Sequence, residues 1–190
     1  MNRDRLKWIG LVTLVAGMLF GCGGGSFKQE DKPENLKSFF ELIHETIHVK
    51  KDPKQAVALF QSMVPDPARL KKALKDDVPP ATTQQISDLH KSFTITEDGV
   101  RKLARADQKE VQVHGSTTED ILKYQPGSVA YKEFPGGAKR VAELALRPGT
   151  TFYEVEYLEP GKDAGMKYHL IYWDGKQWTM LGPVWRAFKQ

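Results

Sequence analysis

Tyr168-His169-Leu170-Ile171-Tyr172-Trp173-Asp174-Gly175-Lys176-Gln177-Trp178 is the stretch on which the fold reading rests. Asp174-Gly175 is a two-residue hairpin signal, because glycine reaches the positive-φ conformations that tight turns between paired strands require. Met166 to Trp173 before it is rich in aromatic and apolar residues and reads as a strand, and Trp178 to Leu181 returns as the last one. Strands joined by so short a turn run antiparallel. Working upstream, Thr151 to Leu158 sets Phe152, Val155 and Tyr157 against Thr151, Glu154 and Glu156, and Glu110-Val111-Gln112-Val113-His114 alternates in the same manner. Glu154 and Glu156 share one strand face. They are readable as a carboxylate pair or, the commoner case, as solvated surface residues.

The first half is helical. Pro33-Glu34 opens a pattern with Leu36, Phe39, Phe40, Ile43 and Ile47 at spacings of three and four. Asp52-Pro53 starts a second helix, where Asp52 can cap and Pro53 fits the first helical position; its stripe is Ala56, Val57, Phe60 and Met63. Asp66-Pro67 starts a third with Leu70, Ala73 and Leu74, and Ile86, Leu89 and Phe93 follow Pro79-Pro80 as a fourth. Thr117 caps a short helix running to Tyr124, and Pro135-Gly136-Gly137 reads as a turn. The fold class is therefore α+β, N-terminal helices packed on a C-terminal curved antiparallel sheet. In element order, residues 34–182 resemble the nuclear-transport-factor-2-like fold, in which N-terminal helices close a curved sheet into a cone. That resemblance implies a pocket on the sheet, and chemistry there would require polar residues converging inside it.

At the other end, Arg3, Arg5 and Lys7 precede the uncharged apolar run Ile9 to Phe20. As a helix that run spans about 18 Å, short of a bilayer core of roughly 30 Å, so it reads as a signal segment. Leu19-Phe20-Gly21-Cys22 ends it with the only cysteine of the chain. The arrangement resembles the lipobox of bacterial lipoprotein precursors, which implies cleavage before Cys22 and a diacylglyceryl-type anchor on its thiol, with the bilayer as a partner. Residues 1–21 are then the signal peptide, 22–33 a Gly-, Ser- and charge-rich tether, and 34–190 a single domain. Gly23 after the cysteine, rather than Asp, favours the outer membrane, facing the periplasm. The net charge of +4 for the whole chain falls towards neutrality once the signal segment is removed, which gives no electrostatic case for nucleic acid. With Cys22 spent on lipid, the domain has no thiol chemistry.

His44-Glu45-Thr46-Ile47-His48 is an HExxH pattern. Histidines four apart on a helix can both reach a zinc ion, with the glutamate acting as base on a zinc-bound water. A third ligand is not recognisable. Lys51 and Lys54 stand where the extended pattern needs Gly and His, and Asp66, Asp76 and Asp77 are the only acidic residues at the other usual distance. The apolar stripe runs through Leu36, Phe40, Ile43 and Ile47, which leaves His44 and His48 on its flank and Glu45 nearly opposite. The reading is an amphipathic helix with boundary histidines. The competing reading is a zinc metallopeptidase using His44 and His48 as ligands and Glu45 as base. Elsewhere, Phe152, Tyr153, Tyr157, Tyr168, Tyr172, Trp173, Trp178 and Trp185 crowd the last forty residues as core or as an apolar pocket, and His169 reads as a hydrogen-bonded boundary residue. The expectation is a non-enzymatic, membrane-anchored protein that needs no cofactor and binds a protein or a small apolar ligand.

Overall fold

The computed structural model describes residues 30–188; Cys22, the signal segment and most of the tether lie outside them. The described residues form eight α-helices and a four-stranded antiparallel sheet, the helices falling mostly before the sheet. None of these helices is long and apolar enough to cross a membrane.

Each of the first five helices starts where proline or a capping side chain prescribes. α1 (Pro33–His48) opens on proline and buries Leu36, Phe40, Ile43 and Ile47. Each such side chain contributes about 1.5–3 kcal/mol of transfer free energy. Asp52 caps α2 (Pro53–Ser62) by accepting the Gln55 N–H at 2.9 Å, and Asp66 caps α3 (Pro67–Ala73) through the Arg69 N–H at 2.8 Å. α4 (Pro80–Ser92) begins after Pro79. Thr96 caps α5 (Glu97–Leu103), a helix too short to leave a periodic trace in the sequence.

β1 (Glu110–Thr117) then leads into α6 (Thr118–Lys123), capped by Thr117 as its sequence implies, and into α7 (Val129–Glu133) and α8 (Gly136–Leu144). Gly136-Gly137 thus opens α8 instead of forming a bare turn. Ala138, Val141 and Ala142 give that helix a buried face, and burial outweighs the glycine cost of about 1 kcal/mol per residue. β2 (Thr151–Leu158), β3 (Met166–Trp173) and β4 (Trp178–Met180) complete the sheet in the order β1-β2-β3-β4, and a 3-10 turn at Val184–Arg186 is the last regular element among the described residues. The β3–β4 turn takes the four residues 174–177, closed by the Asp174 N–H to the Gln177 carbonyl, with Gly175 at φ +97°.

Both faces of the sheet are covered. On one side Tyr153, Val155, Tyr157, Tyr168, Ile171 and Trp178 pack with α1, α2 and α5. On the other, Phe152, Leu170, Tyr172 and Leu181 pack with Ile121, Val141 and Ile86 from the remaining helices. The aromatic group of the last strands is therefore chiefly core, divided between these two clusters. Trp173 and Trp185 are only half-buried.

Candidate functional site

An irregularity in the β2–β3 ladder builds the most unusual polar group in the fold. Tyr153 pairs with Ile171 and Val155 with Tyr168. Between those pairs β2 supplies Glu154 alone while β3 supplies His169 and Leu170, which is a β-bulge. Leu170 adopts φ +54°, a left-handed conformation that costs a non-glycine residue about 1 kcal/mol or more. The Glu154 carboxylate serves both bulge residues. One oxygen accepts the Leu170 N–H at 3.2 Å and the other accepts from Nδ1 of His169.

Glu154 is 1% exposed. A carboxylate taken so far from water requires partners. Burial pushes its carboxyl above the usual range, while the hydrogen bond and charge of His169, and then the Leu170 N–H, pull the other way. The same bond orients the histidine. With Nδ1–H given to the carboxylate, Nε2 carries the lone pair, and it has no partner among the described residues. The ring stands edge-on to Trp185 with centroids 5.3 Å apart. Trp185 in turn lies against the backbone of Gly137, where a Cβ would fall 2.5 Å from the indole. Only glycine allows that approach.

The polar group continues along the same sheet face. The β1–β2 register sets His114 opposite Glu154 and Gln112 opposite Glu156, and Glu156 pairs with Lys167 across β3. Lys167 Nζ lies 3.0 Å from Glu133 of α7 and 3.3 Å from Glu156. Burial works to lower the Lys167 ammonium, and the two carboxylates more than offset it. His114 Nε2 is 3.8 Å from Glu133, and Glu156 accepts the Gly165 N–H. Glu154 and Glu156 are not solvated strand-face residues as their alternation implies. α7, α8 and the final turn cover that face, leaving Glu156 only 4% exposed.

The HExxH residues do different work. His44 Nε2 donates to the Arg105 carbonyl at 3.1 Å and His48 Nε2 to the Ala104 carbonyl at 2.6 Å, with the rings 4.5 Å apart. Ala104 is the C-cap of α5, where helix geometry leaves carbonyls without an intrahelical donor, and Arg105 follows it, its carbonyl also accepting the Gln108 N–H at 3.1 Å. A nitrogen that donates to a carbonyl has no lone pair to offer a metal. Burial lowers the His44 pKa, helped by the neighbouring charges of His48 and Lys109 and opposed by the bond to Arg105. Glu45 is exposed and pairs with Lys50 at 3.3 Å. Among the described residues, no group of three or more His, Cys, Asp or Glu side chains is placed to hold a metal ion.

Of the residues singled out in the sequence, Glu154, Glu156 and His169 come together, and His44 and His48 sit on the far side of the sheet from them. Lys167, His114 and Glu133 carry no signal in the sequence beyond strand alternation, and none at all for Glu133. Comparison with protein-family models, with curated proteins and with solved structures finds no match to the chain.

Proposed function

We propose that the chain is a bacterial lipoprotein anchored through Cys22, facing the periplasm from the outer membrane, whose α+β domain binds a ligand or protein partner on the sheet face around His169. The observation that carries the binding role is the Nε2 atom of His169. Its ring is held by a buried carboxylate and backed by Trp185, yet that nitrogen has no partner among the described residues. Supporting the anchor, the Asp31 carboxylate accepts the Tyr153 hydroxyl at 2.9 Å, so the fold takes hold of the chain where the tether ends. Asp31 lies nine positions beyond Cys22. Fully extended, that length of chain reaches about 30 Å, so a lipidated Cys22 would keep the domain close to its bilayer. The test is metabolic labelling with a radioactive fatty acid, followed by fractionation with an alkaline carbonate wash. The wild-type protein stays with the membrane and carries the label, and Cys22→Ser carries none; a wild-type protein without label rejects the anchor.

One observation favours a second reading of the same site. An imidazole oriented by a carboxylate through Nδ1, with Nε2 unbound, is the arrangement of a general acid–base group. The polar convergence on the sheet face is also what a cone-pocket enzyme of the nuclear-transport-factor-2-like type would need. Both readings require a reactive Nε2. Diethyl pyrocarbonate should carbethoxylate His169 ahead of His44, His48 and His90, as read by peptide mass spectrometry, and Glu154→Gln should slow the reaction. A His169 that stays unmodified while the other three react contradicts both readings. A zinc peptidase would instead require His44 and His48 to leave the Arg105 and Ala104 carbonyls, and stoichiometric zinc lost on His48→Ala would revive it.

A further inference from the structure

A groove of about 610 Å³ runs between α4, α8 and the segment Arg186 to Phe188. That volume lies within the range of roughly 300–1,000 Å³ typical of small-molecule sites. Leu89, Leu144 and Phe188 supply its apolar surface, and Arg140 and Arg186 also line it. Leu144 is 50% exposed, unusually open for a leucine at a helix end. Among the described residues neither guanidinium has an ion-pair or hydrogen-bond partner, whereas Arg69, Arg105 and Arg147 are all engaged by carboxylates. The one carboxylate in the lining, Asp88, is taken by Lys91 at 3.3 Å and by the Gln84 amide at 2.8 Å. The lining therefore joins an apolar surface to two uncompensated cations.

We propose that this groove binds a single-chain anionic amphiphile of the long-chain carboxylate type. The head group would sit on Arg140 and Arg186, and the tail along Leu89, Leu144 and Phe188. Arginine forks match carboxylate geometry with two parallel hydrogen bonds, and an apolar tail gains from covering exposed leucine and phenylalanine. A purely polar anion would leave the apolar surface uncovered, and a neutral hydrocarbon would leave both guanidiniums unpaired. The anchoring bilayer could also supply anionic head groups. Its position argues against it, on the reading that Cys22 is the anchor. The tether ends at Asp31 on Tyr153, within the core on one sheet face, while Leu89 and Phe188 pack against the core on the other. A tether of about 30 Å would have to wrap a domain of comparable width to bring the groove down to the membrane. The occupant is therefore a free amphiphile.

The experiment is calorimetric titration of the full chain carrying Cys22→Ser with sodium dodecanoate, alongside dodecyltrimethylammonium bromide. Residues 9–20 are common to every variant, so differences between variants report the groove. Dodecanoate should bind one-to-one with a Kd on the order of 100 µM or tighter. Arg140→Gln/Arg186→Gln should weaken it about tenfold or more, and Leu144→Asp should do the same. All three positions are at least partly exposed, so the variants should keep their fold, which circular dichroism checks. Equal binding of the cationic chain, or dodecanoate affinity unchanged in Arg140→Gln/Arg186→Gln, overturns the proposal. A third arm uses phosphatidylglycerol vesicles. Sedimentation with the vesicles that the double variant abolishes, in a chain that does not bind dodecanoate, would assign the arginines to a bilayer and would also overturn it. Membrane retention through Cys22 is measured separately, so either reading can fail alone.

Discussion

His90 on α4 donates Nε2–H to the Leu181 carbonyl at 2.8 Å, and its Nδ1 is buried with no hydrogen-bond partner. A proton on Nδ1 would place a charge there with nothing to receive it. Burial accordingly holds the His90 pKa below its ordinary 6.5, the Leu181 bond working against that. The folded protein then binds fewer protons than the unfolded chain between the lowered value and 6.5. This contribution to stability is complete above about pH 6.5 and is lost as pH falls through the folded value. His44 acts in the same direction, while the raised Glu154 carboxyl acts oppositely, its contribution being lost as pH rises above 4.5. The urea midpoint should therefore fall less between pH 7.5 and 5.5 in His90→Gln than in the wild type; equal slopes would contradict the role given to His90. The four hydrogen-bonded histidines also differ in tautomer. Nε2 faces a carbonyl in His44, His48 and His90 and must carry the hydrogen, while in His169 Nδ1 faces a carboxylate. Nitrogen-15 NMR at pH 8 should find Nε2–H three times and Nδ1–H at His169. An Nε2–H tautomer at His169 would mean that Glu154 does not orient it.

At the level of elements, Arg69 joins the α2–α3 connection to the β3–β4 turn. Its Nε bonds Asp174 at 2.6 Å, Nη1 bonds the Ser62 and Val64 carbonyls at 2.8 and 2.9 Å, and Nη2 bonds the Trp178 carbonyl at 2.8 Å and the Thr179 hydroxyl. Side-chain exposure is 14% for Arg69 and 5% for Asp174. Removing one partner of such a pair costs about 3–5 kcal/mol, chiefly through the charge left behind. Arg69→Met should lower the thermal midpoint by roughly 2–4 °C per kcal/mol lost. Arg69→Met/Asp174→Asn should recover part of that, and a double variant no better than the single one would contradict the pairing. A second expectation concerns Gly165, whose added Cβ would fall 1.9 Å from the Tyr157 carbonyl oxygen. Gly165→Ala must shift backbone against backbone, so a loss of about 1–3 kcal/mol in urea unfolding is expected; an unchanged midpoint would contradict the close approach.

These elements also mark where the sequence was readable. Asp-Pro starts and Thr117 announce helices through local capping chemistry, period-two alternation announces β1 and β2, and aromatic and apolar content announces β3. α5 and α7 span under two turns and α8 opens on two glycines, so their stability comes from the surfaces they cover rather than from their own pattern. The bulge was hidden for a related reason. Tyr168, Leu170 and Tyr172 alternate as though on one face, yet Tyr168 packs with Ile171 on one side while Leu170 and Tyr172 pack on the other. What breaks the alternation is Glu154, fifteen residues from His169 in sequence. Only the pairing of the strands brings it there.

For the whole molecule, a sheet covered on both faces separates two regions. α1, α2, α5 and the end of the tether meet one face, and α3, α4, the His169 group and the Arg140–Arg186 groove belong to the other. A domain held by a lipid at Cys22 could then present its sites away from the tether's point of attachment. His44 and His48 sit on the tether side, fastening α1 to α5. That presentation depends on Cys22 being the point of attachment. Intact-mass spectrometry of the protein extracted from bacterial membranes tests that directly. The account predicts a chain that begins at Cys22 and carries the added mass of a diacylglyceryl group on its sulfur. A chain that begins elsewhere, or an unmodified Cys22 thiol, would contradict it.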